Sequence, residues 1–141
     1  MDKSRAYLIA KNKMLDNDEF SKWLGIELKD IRDGYCKLKM SIRNDMTNGF
    51  GIAHGGITYS LADSALAFAS NSYGKMAVSI ETSISHMVKL KHGDTIIAEA
   101  IEINRNEKIA IYEVNIKNLD NILVAKFKGT VYISSRDWDL K

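Results

Sequence analysis

Residues 57 to 70 read Ile-Thr-Tyr-Ser-Leu-Ala-Asp-Ser-Ala-Leu-Ala-Phe-Ala-Ser, rich in alanine and apolar on nearly every side. A helix without a wet face is stable only when other structure encloses it, so this stretch predicts one buried helix. Its single charged side chain is Asp63. A lone carboxylate in such surroundings is costly unless it is paired, hydrogen-bonded or protonated. Two readings follow. Asp63 sits at a solvated helix edge or pairs with a lysine, or it has a chemical role, in which case desolvation raises its pKa usefully for a general base.

Immediately upstream, residues 44 to 53 contain two glycines and two asparagines and follow neither period, which predicts a loop. His54-Gly55-Gly56 then opens the helix. The first amides of a helix lack internal partners and carry the positive end of its dipole, so they can hold a developing oxyanion. Glycine there lets a substrate carbonyl approach the backbone closely. The plain alternative is a glycine turn that only starts the helix.

On both sides the period changes to two. Residues 26 to 31, the turn Arg32-Asp33-Gly34, and Cys36, Leu38, Met40 and Ile42 alternating with Lys37, Lys39, Ser41 and Arg43 predict a hairpin with one wet face. After the helix, strand character recurs at about 76 to 90, 94 to 104, 108 to 118 and 122 to 134, with short turns between. Such neighbours are expected to pair antiparallel as a meander. Residues 3 to 15 and 19 to 24 carry helix-compatible spacing, and the tail from Ser135 stays unassigned. The economical fold is α+β: an antiparallel sheet curled around one long central helix.

The 141-residue length fits a single domain over 1–141, with 1–24 as an N-terminal helical segment. No run approaches the roughly 18 apolar residues of a membrane span. Residues 1 to 13 mix charges with short apolar pairs instead of forming a secretory signal, and the only cysteine, Cys36, lies in a strand pattern as a core residue. A cytoplasmic location without a disulfide framework is expected. A net charge of +2 with scattered lysines argues against nucleic acid.

Gly55 and Asp63 stand eight positions apart. At helical rise this separates them by about 12 Å along the axis. A base and an oxyanion donor acting on one carbonyl must each come within about 3 Å of their targets. If both act, they belong to different subunits, with two helices side by side and antiparallel.

The run Asn48-Gly49-Phe50-Gly51-Ile52-Ala53-His54-Gly55-Gly56, followed by Leu61-Ala62-Asp63, resembles the phenylacetate-degradation (PaaI-type) thioesterases of the hotdog superfamily. The likeness continues through residues 69–74, Gly93-Asp94 and residues 124–129. The resemblance implies a hotdog fold that hydrolyses an acyl-CoA, aromatic like phenylacetyl-CoA or medium-chain, at the interface of an obligatory homodimer. It also implies no metal or redox cofactor, coenzyme A entering only as part of the substrate. In that likeness Asp63 activates water or attacks directly, Gly55 offers its amide to the thioester oxygen, and Asn48 positions water or the carbonyl. His54 shapes the loop and supports the site. Gly56 and Ser79 are expected at the substrate, Ser79 beside the reacting water.

The pattern is broken between Met87 and Gly93, where relatives often carry an aromatic and a proline, so acyl specificity is the property this departure touches. Lys89, Lys91 and Arg43 are candidates to meet CoA phosphates. His54, His86 and His92 form no metal-ligand spacing. Closed symmetry suggests that dimers pair into a homotetramer. The alternatives to hydrolysis are a hotdog module that binds acyl-CoA without turnover, and hydration or dehydration on the same fold, which would need an acid and base pair where only one convincing carboxylate is found.

Overall fold

The computed structural model describes residues 4–141. Residues 1–3, where the predicted N-terminal helical segment begins, lie outside the described residues. The chain starts with α1 (Arg5–Tyr7), winds on as a π-helix over Leu8–Met14 and a 3-10 turn at Leu15–Asn17, and re-forms as α2 (Glu19–Leu24). Ile9, Ala10 and Leu15 stay buried through these changes of winding. Asp18 caps α2 by accepting from the Ser21 amide at 2.9 Å, and Gly25, at φ 76°, ends it in the left-handed region. Then come β1 (Glu27–Arg32), β2 (Tyr35–Ser41), α3 (Gly55–Asn71), β3 (Lys75–His86), β4 (Thr95–Arg105), β5 (Ile109–Asn118) and β6 (Leu123–Asp137).

All six strands join one antiparallel sheet in the order β1-β2-β4-β5-β6-β3. This corrects the expected meander at one step, because β3 pairs with β6 and not with β4. The cause is the segment 87–94, which is not a tight turn. Leu90 is buried in it, its carbonyl accepts from the Ala53 amide at 2.7 Å, and the Gly93 amide reaches the Ile42 carbonyl at 2.9 Å. The chain thereby crosses from one sheet edge to the middle. The strand predicted over 76 to 90 ends at His86, while β6 runs three residues past its predicted end at 134, into the tail. Beyond β6, the Trp138 indole donates to Asn71 Oδ1 at 2.9 Å and fastens the tail to the end of α3.

Helix α3 lies in the hollow of the sheet. Its Leu61, Ala62, Ala65, Leu66, Phe68 and Ala69 share one core with inward side chains of every central strand, among them Leu38, Ala98, Val114 and Phe127. Small residues on both partners, Ala62, Ala65 and Ala69 against Ala98 and Ala100, let helix and sheet approach closely. Cys36 is part of this core, and burial pushes its thiol pKa well up, as suits an inert packing residue. Among the described residues no helix is long and apolar enough to cross a membrane.

Gly129 on β6 marks the tightest approach: a Cβ there would lie 2.5 Å from Leu66 Cδ2 and 3.2 Å from the Phe127 ring. Both neighbours are themselves buried and unable to retreat into solvent. Gly129→Ala is therefore expected to destabilise the fold by about 1–3 kcal/mol. In urea this appears as a lower transition midpoint at unchanged slope.

Candidate active site

Helix α3 is capped by a side chain. His54 Nδ1 accepts from the Gly56 amide at 3.0 Å, and the His54 carbonyl accepts from the Ile57 amide at 2.9 Å. Of the first-turn amides, this leaves Gly55 N–H without a hydrogen bond among the described residues. His54 thus caps α3, and its own amide donates to the Met46 carbonyl at 2.8 Å. Gly56, expected at the substrate, has its amide engaged by His54.

Asn48 fixes the preceding loop. Its Oδ1 accepts from the Phe50 amide at 2.9 Å, and its backbone N–H donates to the Ile52 carbonyl at 2.8 Å. Asn48 Nδ2 has no partner among the described residues. Asn48 and Gly55 line one cavity of about 350 Å³, together with Thr58, His86, Lys89 and Leu90. The loop thus brings an open backbone donor and an open side-chain donor to the same wall.

Asp63 lies two turns further along α3 and faces elsewhere. It lines a second cavity of about 300 Å³ with Met14, Leu66, Ala67, Ser79 and Val131. The half-buried carboxylate makes no hydrogen bond or ion pair among the described residues. Its pKa is raised, first by desolvation and then by the negative charge of Asp18. Asp18 is held close by its cap on α2: Ser21 Oγ donates to it at 2.6 Å and also lies 2.8 Å from Ser64 Oγ, the neighbour of Asp63. Ser79, on the exposed edge strand β3, shares this cavity.

The predicted residues therefore separate into two groups within one protomer, Asn48 with Gly55 and Asp63 with Ser79, and a continuous helix holds Gly55 and Asp63 apart. Of the candidate phosphate contacts, Lys89 lines the first cavity, whereas Arg43 stacks 4.8 Å over the Trp23 ring and pairs with Asp45 at 3.1 Å. Thr58 and His86 belong to the first group without having been singled out for it from the sequence. They are 28 positions apart and are joined only by folding, Thr58 Oγ1 lying 3.2 Å from His86 Nδ1.

The family described as the thioesterase superfamily matches residues 50–125. An Archaeoglobus fulgidus protein that carries an esterase name is 40% identical over 136 residues, 96% of this chain and 88% of its own length. Acyl-coenzyme A thioesterase PaaI of Escherichia coli is 34% identical over 116 residues, covering 82% and 83% of the two chains. The solved structure of the E. coli PaaI protein from the phenylacetic acid degradation operon is similar with a TM-score of 0.91 at 32% identity, over 94% of this chain and 96% of that one.

Proposed function

From the premise that this chain belongs to the thioesterase superfamily, we propose that it hydrolyses acyl-CoA thioesters at a site shared by two copies of itself. Asp63 of one subunit takes a proton from water, and the water oxygen attacks the thioester carbonyl carbon. The carbonyl oxygen becomes an oxyanion beside Gly55 N–H of the partner, with Asn48 Nδ2 as an adjoining donor. Collapse expels the CoA thiolate, which recovers the proton from Asp63, and the free acid leaves. Ser79 orients the water from the Asp63 side, while Lys89 offers charge to a CoA phosphate. This chemistry draws on water and protein groups alone, without a metal or redox cofactor.

The observation that carries the reading is the separation of the half-sites. Each cavity holds half of what thioester hydrolysis needs, and a rigid helix prevents one protomer from closing the gap. Edge strand β3 supports the sharing. It is hydrogen-bonded on one side only, and its Val78 and Ile80 are 63% and 59% exposed. A long apolar edge of this kind is a liability unless another chain covers it. On the outer sheet face, Ile101 and Tyr132 leave further apolar surface that we assign to pairing of dimers into a tetramer. The lone free thiol of Cys36 fits the reducing cytoplasm, where we place the reaction.

The Asp63 cavity has apolar walls and the volume of a small-ligand pocket, which suits an aromatic acyl group such as phenylacetyl or a medium chain. The test is a panel of aromatic and straight-chain acyl-CoAs with free thiol as the readout. Saturable thiol release is expected, fastest for acyl groups of that size. Tight binding of acyl-CoA with no thiol release across the panel would instead make the protein a carrier or sensor.

A further inference from the structure

We propose that His86 is a second donor to the thioester carbonyl oxygen, working beside Gly55 and oriented by Thr58. The proposal rests on the reading of Gly55 given above. His86 ends β3 and lines the same cavity as Asn48 and Gly55. A Cβ on Gly55 would lie 3.3 Å from His86 Nε2, so this ring nitrogen packs against the Gly55 Cα. The other ring nitrogen, Nδ1, is engaged 3.2 Å from Thr58 Oγ1.

The protonation pattern turns on one shared hydrogen. Thr58 carries one hydroxyl proton and has two neighbours able to accept it, His86 Nδ1 and the Gly55 carbonyl at 3.1 Å. The Gly55 carbonyl has two lone pairs and can accept the hydroxyl as well as the amide four residues on, so the Thr58–His86 pair can run in either direction. The role assigned to His86 requires the direction in which Thr58 Oγ1 donates to Nδ1. A neutral imidazole that accepts at Nδ1 carries its own hydrogen on Nε2. That N–H would lie on the Gly55 side of the ring, and a second donor to the same oxygen would stabilise the charge that develops there. Thr58 is 4% exposed and fixed on the helix, so it holds the ring at this angle.

The experiment compares His86→Phe, His86→Gln, Thr58→Val, Thr58→Ser and Asp63→Asn with the native protein on one acyl-CoA. Loss of a principal oxyanion donor costs roughly 10²–10³ in kcat, and for this more exposed group a fall of about 10- to 100-fold is expected in His86→Phe. KM should change far less. Glutamine places an amide N–H near the position of Nε2, so His86→Gln should recover most of the lost rate. Thr58→Ser should retain the rate and Thr58→Val should lose part of it. Histidine-labelled protein examined by nitrogen NMR should show His86 protonated at Nε2, a readout independent of turnover.

Unchanged kcat in His86→Phe, equal damage from phenylalanine and glutamine, or a proton on Nδ1 alone would each overturn the assignment. Unchanged turnover in His86→Phe beside an inactive Asp63→Asn removes the His86 role and leaves the parent mechanism standing. Activity retained in both removes the parent mechanism too.

Discussion

Asp63→Asn is expected to lower kcat for acyl-CoA hydrolysis by roughly 10²–10⁴-fold, the usual contribution of a positioned general base. Asparagine matches the shape of the carboxylic acid but cannot accept a proton from water. In the native protein the rate should rise with pH as Asp63 ionises. Because burial and Asp18 raise its pKa, that rise should be centred above the ordinary aspartate range. Removing the Asp18 charge by Asp18→Asn should move it back toward lower pH. A kcat within a few-fold of native in Asp63→Asn would sink the assignment.

The same substitution should strengthen the fold. With its folded pKa above its unfolded one, Asp63 contributes stability that is fully present below the unfolded pKa and disappears as pH rises through the folded value. At neutral pH the ionised carboxylate is therefore a burden on the native state. Asp63→Asn removes that burden, so its thermal midpoint should exceed the native one at pH 7, and the difference should vanish in acid. Stability given up for activity at a single side chain is the pattern of a working site.

The second large effect is recovery of activity from two inactive proteins. Asp63→Ala lacks the base, and Gly55→Val crowds the open amide against His86. Each alone should be nearly inert. In a mixed dimer of the two, one shared site has both defects and the other has neither. Random pairing makes half the dimers mixed, each with one intact site of two, so co-refolded protein should regain about a quarter of native turnover. If both groups acted within one chain, every site would stay defective and mixing would restore nothing. Absence of recovery in verified mixed dimers would end the shared-site mechanism.

Local patterns made much of this architecture legible. The alanine-rich run at 57–70 is α3, extended at both ends to Gly55 and Asn71, and the alternation around Cys36 and Leu38 is β2. Alternation tells which face of a strand is wet but not which strand lies beside it, so the pairing of β3 with β6 was out of reach. The separation of Gly55 from Asp63 was available from helical rise alone, since both lie on one continuous element. Thr58 and His86 were not, because a contact between a helix and the end of a strand leaves no period in either. Nor did any spacing announce that the Gly56 amide folds back on His54 and leaves Gly55 as the open donor.

The crossover at 87–94 makes no strand ladder. Its backbone is fastened at Met87, Val88, Leu90 and Gly93 to neighbouring segments, while Met87, Val88, Lys89 and Leu90 contribute to the cavity wall. Substitutions of its side chains are expected to change the ligand preference of that cavity without slipping the register of any strand. Under the shared-site mechanism proposed above, selection would be able to retune which thioester is favoured at this one hinge of the chain while the scaffold that aligns the reacting groups is inherited unchanged.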